Sequence, residues 1–182
     1  SRKFKGRFYA LPQAPQQFKQ LLMVYCAREH AVFFDAVTKY LNPARSEGRE
    51  YFDRSSLVRF MNELVNSGAA SWSEGLQIKN ASYVRSTLVD FDMISRKDEI
   101  LPYEPADFTV LYLMYEAHLA GMSDMAIWEM EEWSLFNMSR SQVLERIMSL
   151  SLKGAYMAQT SGELLNISWN YKTMEELIDA AI

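Results

Sequence analysis

Apolar residues recur along most of this chain at the three-to-four spacing of helices, and only once, near the end, at the every-second spacing of a strand. After the break from Pro12 to Pro15, the stretch QQFKQLLMVYCAREHAVFFDAVTKYL is apolar on more than one side. That pattern predicts one long or two consecutive buried helices ending before Pro43. The polar NPARSEGRE reads as a loop and a boundary. From Ser55, the residues Leu57, Phe60, Met61, Leu64 and Val65 predict a helix that stops at Gly68. Asn80 then reads as the N-cap of a helix whose Val84, Leu88 and Phe91 form an inward stripe. Two short apolar pieces, Met93-Ile94 and Ile100-Leu101, flank a charged tip and predict a small hairpin.

The second half repeats this order. Asp107 to Ala120 is apolar nearly all round, as a central helix should be, and Gly121 ends it. Ser123 caps a helix expected to run through Trp133. Ser139 with Gln142 makes a capping box for the next, whose Val143, Ile147 and Leu150 face inward before Gly154. Leu165, Ile167, Trp169 and Tyr171 then alternate with Asn166, Ser168 and Asn170, the pattern of a strand wet on one side, with Ser161-Gly162 as its turn. Thr173 with Glu176 caps a last helix.

Helices followed by a hairpin, twice over, is the order of the winged helix-turn-helix. The expected fold is therefore mainly α, a helical bundle with two winged helix-turn-helix-like units and a small β-hairpin near the C-terminus. The expected organisation is a basic arm with N-terminal helices over 1–50, a first winged unit over 51–104, and a second with the C-terminal helix over 105–182.

Charge sharpens this picture. Residues 1–60 hold 11 Lys/Arg against 5 Asp/Glu and residues 61–182 hold 8 against 18, so the two parts carry about +6 and −10. Arg2, Lys3, Lys5 and Arg7, interleaved with Phe4, Phe8 and Tyr9, have the alternation of cation and ring found in nucleic-acid arms, and equally that of a solvated arm pinned by its aromatics. In the first unit, the outward face of the later helix holds Ser82, Arg85, Ser86 and Val89, with Lys79 at its entrance and Arg96 and Lys97 on the hairpin. Such a set suits a major groove, and it also suits a solvated helix. In the second unit the outward set is Gln142, Glu145, Arg146 and Ser149, between Arg140 and Lys153. There the solvated reading is favoured, because Glu145 and the acidic helix before it repel phosphate. That acidic helix, with Asp124, Glu129, Glu131 and Glu132, is better matched to a basic protein surface.

Catalytic chemistry has little to stand on. Cys26 and His30 are four apart on a helix but have no companion oxyanion donors in the pattern, and His118 lies in an apolar helix. One cysteine and two distant histidines give no metal-ligand spacing, and seven scattered glycines form no phosphate loop. No cofactor is expected. The longest apolar run, 21–27, is too short to cross a bilayer, and no signal pattern opens the chain, so a cytoplasmic protein without a membrane span is expected.

The stretch LSLKGAYMAQTS followed by GELLNISWNYKTMEELIDA resembles the C-terminal end of the BrxA family, small proteins of BREX phage-defence operons. The likeness is strongest over about the last 45 residues. It implies an all-helical, non-enzymatic cytoplasmic accessory protein with helix-turn-helix-like units that binds double-stranded DNA beside larger defence proteins. It further implies some likeness to the helical bundle of the antitermination factor NusB, which adds RNA as a ligand class. Two uses of the chain follow: duplex binding through Arg2, Lys3, Lys5, Arg7, Lys79, Arg85, Arg96 and Lys97, or partner binding through Glu129, Glu131 and Glu132.

Overall fold

The computed structural model describes residues 14–181; Arg2, Lys3, Lys5 and Arg7 lie outside them. The described residues are mainly helical, with one two-stranded antiparallel hairpin near the C-terminus. They form two compact units, one of residues 23–104 and one of residues 14–22 with 105–181. Helix α1 (Ala14–Glu29) carries the chain from the second of these into the first.

In the unit of residues 23–104, α1 contributes buried Met23, Val24 and Ala27 and ends where His30 leaves helical geometry at φ −129°, ψ 87°. The chain restarts as α2 (Ala31–Asp35), widens into a π-helical stretch over Ala36–Leu41, and continues as α3 (Asn42–Ser46). The region thus holds two consecutive helical stretches, as the pattern allowed, but the expected end before Pro43 is overturned. Pro43 has no N–H to give, and its ring would crowd the carbonyl four residues back. The wide turn relieves this: the Asn42 N–H donates to Val37 O, five residues earlier.

Helix α4 (Arg54–Asn66) starts at Asp53, whose carboxylate accepts from the Ser55 amide at 2.9 Å and from the Ser55 hydroxyl at 2.7 Å. These bonds to Ser55 hold the Asp53 carboxyl below its usual range. Leu57, Phe60 and Met61 face inward, and Gly68, at φ 77°, turns the chain out of the helix. Helix α5 (Glu74–Asp90) begins about two turns before the expected Asn80 cap. Its inward stripe reaches back through Val84 and Ala81 to Gln77, whose side-chain amide donates to Trp72 O at 3.1 Å. With Asn80 inside the helix, Ser73 is the residue at the N-cap.

The expected hairpin at Met93-Ile94 and Ile100-Leu101 forms without strands. Single antiparallel bridges join Ile94 to Ile100 and Glu99 to Tyr51, so three extended pieces meet ahead of α4 and after α5. Left-handed residues at Asp92 (φ 57°) and Asp98 (φ 66°) and the missing donor of Pro102 keep the ladder short. At the tip, the Ser95 hydroxyl accepts from the amides of Lys97 and Glu99, both at 3.1 Å. The order helix, extended piece, helix, helix, wing is complete in this unit, and Tyr51 supplies the extended piece that the sequence reading missed.

The other unit is built on α6 (Asp107–Leu119), where Phe108 to Tyr115 is buried except at Tyr112 and Gly121, at φ 89°, follows the helix. Gln20 of α1 is itself buried; its side-chain oxygen accepts from the Ala106 amide at 2.9 Å and the Thr109 hydroxyl at 2.8 Å. Ser123 caps α7 (Asp124–Trp128), as expected, but the helix stops there. Met130 is extended, and a 3₁₀ turn spans Glu131–Phe136. Two buried indoles dictate the break: Trp133 donates to Ile127 O and Trp128 to Arg140 O, each at 2.8 Å. Helix α8 (Arg140–Ser151) opens with the Ser139–Gln142 capping box.

Strands β1 (Tyr156–Ser161) and β2 (Leu164–Trp169) pair from Tyr156–Trp169 to Ser161–Leu164. The loop is therefore Gly162-Glu163, one residue later than expected, with Gly162 at φ 61° as the left-handed member. Leu165 and Ile167 are buried while Asn166 and Ser168 are exposed, and Tyr171 lies beyond the strand. Trp169 anchors the hairpin on α6, edge-on to Tyr115 at 4.8 Å and stacked on His118 at 4.3 Å. Helix α9 (Met174–Ala181) follows, capped by the Thr173 hydroxyl on the Glu176 amide. The Glu176 carboxylate reaches Lys172 N rather than closing a capping box on Thr173.

Asp124 joins hairpin to helix: its carboxylate accepts from Ile167 N at 2.8 Å and from the Trp169 indole at 3.2 Å. Asp124→Ala leaves both donors without that partner, and urea unfolding should show a loss of about 1–3 kcal/mol, with faster amide exchange at Ile167. Unchanged stability and exchange would contradict this role.

Candidate nucleic-acid interface

Three of the described basic candidates, Arg85, Arg96 and Lys97, lie at the wing of the 23–104 unit. Asp98 sits at its tip, 8% exposed, in a left-handed conformation that Asp tolerates better than most residues. Its carboxylate takes Arg85 Nε of α5 on Oδ1 at 2.6 Å and Arg54 Nε, from the first turn of α4, on Oδ2. The Asp98 carbonyl accepts from Phe52 N at 2.8 Å, and Arg85 Nη2 donates to Arg96 O at 2.8 Å. Two helices thus meet at one carboxylate of the wing.

This arrangement leaves positive charge over. Asp98 offers one negative charge to two guanidinium groups, and Arg54 remains 62% exposed beyond its contact. Arg96 and Lys97 are exposed and have no ion pair among the described residues. Glu99, two residues after Lys97, is exposed and offsets part of this charge. Lys79 is exposed on α5 with its ammonium 5.5 Å from the Tyr83 ring centroid. Of the four described candidates, Arg96 and Lys97 lie together, Arg85 is fastened beneath them as a positioning residue, and Lys79 stands apart on the helix. Arg54 was missed in the sequence because the partner that brings it to the wing lies 44 residues away.

The second helix and hairpin are different. Every Lys and Arg of α8 and the turn after it has an ion pair, two of them sharing one carboxylate. Arg140 pairs with Glu129 at 2.9 Å and lies over the Trp128 ring at 4.2 Å. Arg146 pairs with Asp107 at 2.6 Å and donates to Pro105 O at 3.1 Å, and Lys153 pairs with the same Asp107. The acidic candidates are also divided: Glu129 is engaged with Arg140, Glu131 is exposed in the 3₁₀ turn, and Glu132 is half-buried.

Burial pushes the Cys26 thiol up, away from the thiolate that a nucleophile requires. Among the described residues no group of three His, Cys, Asp or Glu is placed to hold a metal ion. No helix there is long and apolar enough to cross a membrane.

Replacing Asp98 by Asn keeps the left-handed residue and removes the charge. Asp98→Asn should cost the fold about 2–3 kcal/mol, because the bonds lost are made to charged donors. A cost below about 0.5 kcal/mol, the level of an exposed ion pair, would show that the wing does not depend on it.

Comparison with known proteins returns short matches. A stretch of 24 residues, 13% of this chain, is 88% identical to part of the aspartate–tRNA(Asp/Asn) ligase of Roseobacter denitrificans. Stretches of the same length are 83% identical to parts of the aspartate–tRNA ligase of Streptomyces coelicolor and the aspartate–tRNA(Asp/Asn) ligase of Rickettsia canadensis. The match spans 4% of the length of each ligase, a likeness of one segment. No family model and no solved structure matches the chain.

Proposed function

We propose that this chain is a non-enzymatic accessory protein of a bacterial phage-defence system of the BREX type, and that it binds double-stranded DNA through the wing and helix α5 of its 23–104 unit. The observation that carries the reading is the unmatched cation cluster at the wing: exposed Arg96 and Lys97, and Arg54 and Arg85 sharing one carboxylate. A duplex is the partner whose charge complements it, since each neutralised phosphate releases a counterion. Arg85 holds the wing against α5, and Lys79 extends the positive edge along the helix. Arg2, Lys3, Lys5 and Arg7 add electrostatic attraction in this reading. The defence setting rests on the resemblance of the C-terminal stretch to the BrxA family, with other proteins of the same operon as partners. The cations of α8, each engaged in an ion pair, favour keeping the second hairpin away from phosphate.

The test compares two double variants by anisotropy on a random-sequence duplex across a salt series. Arg96→Ala with Lys97→Ala should lower the slope of log affinity against log salt by about two. Arg140→Ala with Lys153→Ala should leave it unchanged. Equal slopes for the wild type and the wing variant would overturn the assignment and turn attention to the acidic segment from Glu129 to Glu132 as the working surface.

A further inference from the structure

Gly75, in the first turn of α5, has no internal reason to be glycine. Its φ lies outside the left-handed region, and a Cβ there would meet nothing within 4 Å. Glycine inside a helix is less favourable than alanine, so the residue costs stability without relieving any clash in the fold. A position that gains nothing inward from a missing side chain is suited to close approach from outside.

Three and seven residues further on stand Ile78, 51% exposed, and Ser82, also exposed. That spacing sets Gly75, Ile78 and Ser82 along one outward strip of α5, away from the buried Gln77, Ala81, Val84 and Leu88. Lys79 flanks the strip on one side, and Arg85, tied to the wing that carries Arg96 and Lys97, flanks it on the other. Side chains able to make paired hydrogen bonds with a base edge are engaged elsewhere. Arg85 commits Nε to Asp98 and Nη2 to Arg96 O, while Gln77 is buried with its amide on Trp72 O. What the strip offers is a gap, a branched apolar group and a hydroxyl between cations.

We infer, resting on the duplex-binding reading above, that this strip is the surface that enters the major groove, and that it reads thymine by its 5-methyl group. Gly75 lets the helix backbone come close to the duplex, Ile78 packs on thymine methyls, and the Ser82 hydroxyl, which donates to Ile78 O at 3.0 Å, keeps its lone pairs for an amino group on a base edge. Lys79, Arg96 and Lys97 hold the flanking phosphates. Preference among sequences then comes from apolar contact, and the ligand class is A·T-rich B-form DNA. Duplex RNA lacks both the methyl group and a groove wide enough for the helix.

The experiment measures affinity of the full chain for an A·T-rich duplex, the same duplex with every thymine replaced by uracil, and an RNA duplex of that sequence. The wild type should lose about fourfold for each methyl contacted on going from thymine to uracil. Ile78→Ala should abolish that difference while keeping salt-dependent binding. Gly75→Ala should raise the thermal midpoint, because alanine favours the helix, and yet weaken binding to the thymine duplex several-fold. Salt-dependent DNA binding that is equal for thymine and uracil and unaffected by Gly75→Ala would overturn this inference and leave duplex binding in place. Absence of salt-dependent DNA binding, or preference for the RNA duplex, would overturn both.

Discussion

The buried carboxylate of Asp98 is the contact on which the 23–104 unit depends. A winged helix needs its wing fixed against the helix beside it, and here the wing has only single backbone bridges. Isolated bridges are too few to hold a two-stranded element in water. Asp98 supplies what the ladder lacks: its side chain fastens the tip to α5 through Arg85 and to the start of α4 through Arg54, and its carbonyl joins Phe52. Shared between two arginines, it leaves their second charge to be matched from outside. The contact that fixes the wing therefore also leaves a cation over beneath its tip, where Arg96 and Lys97 stand side by side in the turn.

The other unit solves the same mechanical problem with a longer ladder and aromatic packing. Its hairpin has a full ladder, Trp169 seated on Tyr115 and His118, and Asp124 holding the Ile167 amide on the outer edge of β2. Asp107 takes both Arg146 and Lys153, and Glu129 takes Arg140. Two units of similar element order thus differ in their cations: in each, one carboxylate is shared by two, but the first also carries Arg96 and Lys97 with no ion pair among the described residues, whereas each Lys and Arg of α8 and the turn after it has one. Element order alone says nothing of function.

Much of this was legible in the sequence where the signal is local. The Ser139–Gln142 box, the Ser123 cap and the alternation through Leu165 and Ile167 depend on residues within one turn or one strand, and the structure has them. Signals that depend on distant partners were not legible. Helix α5 starts early because Gln77 and Ala81 are buried by the rest of the unit, while exposed Leu76 and Ile78 and the glycine between Glu74 and Leu76 blur the period. The helix running through Pro43 depends on a wide turn that no residue type announces. Asp124 read as part of an acidic surface because its partners, Ile167 and Trp169, come more than forty residues later. The cations of the wing were identified as a group from the sequence. That Arg85 serves them by position and that Arg54 joins them follow only from where Asp98 sits.

Amide hydrogen exchange of the full chain, with and without a random-sequence duplex at low salt, tests the central claim most directly. If the electropositive wing of the 23–104 unit is the nucleic-acid face, added duplex should slow exchange in the wing around Ser95 to Glu99 and in the first turns of α5, and leave α8 and the β1–β2 hairpin unchanged. Slowing confined to α8 and the hairpin, or no change anywhere at a saturating duplex concentration, would contradict it.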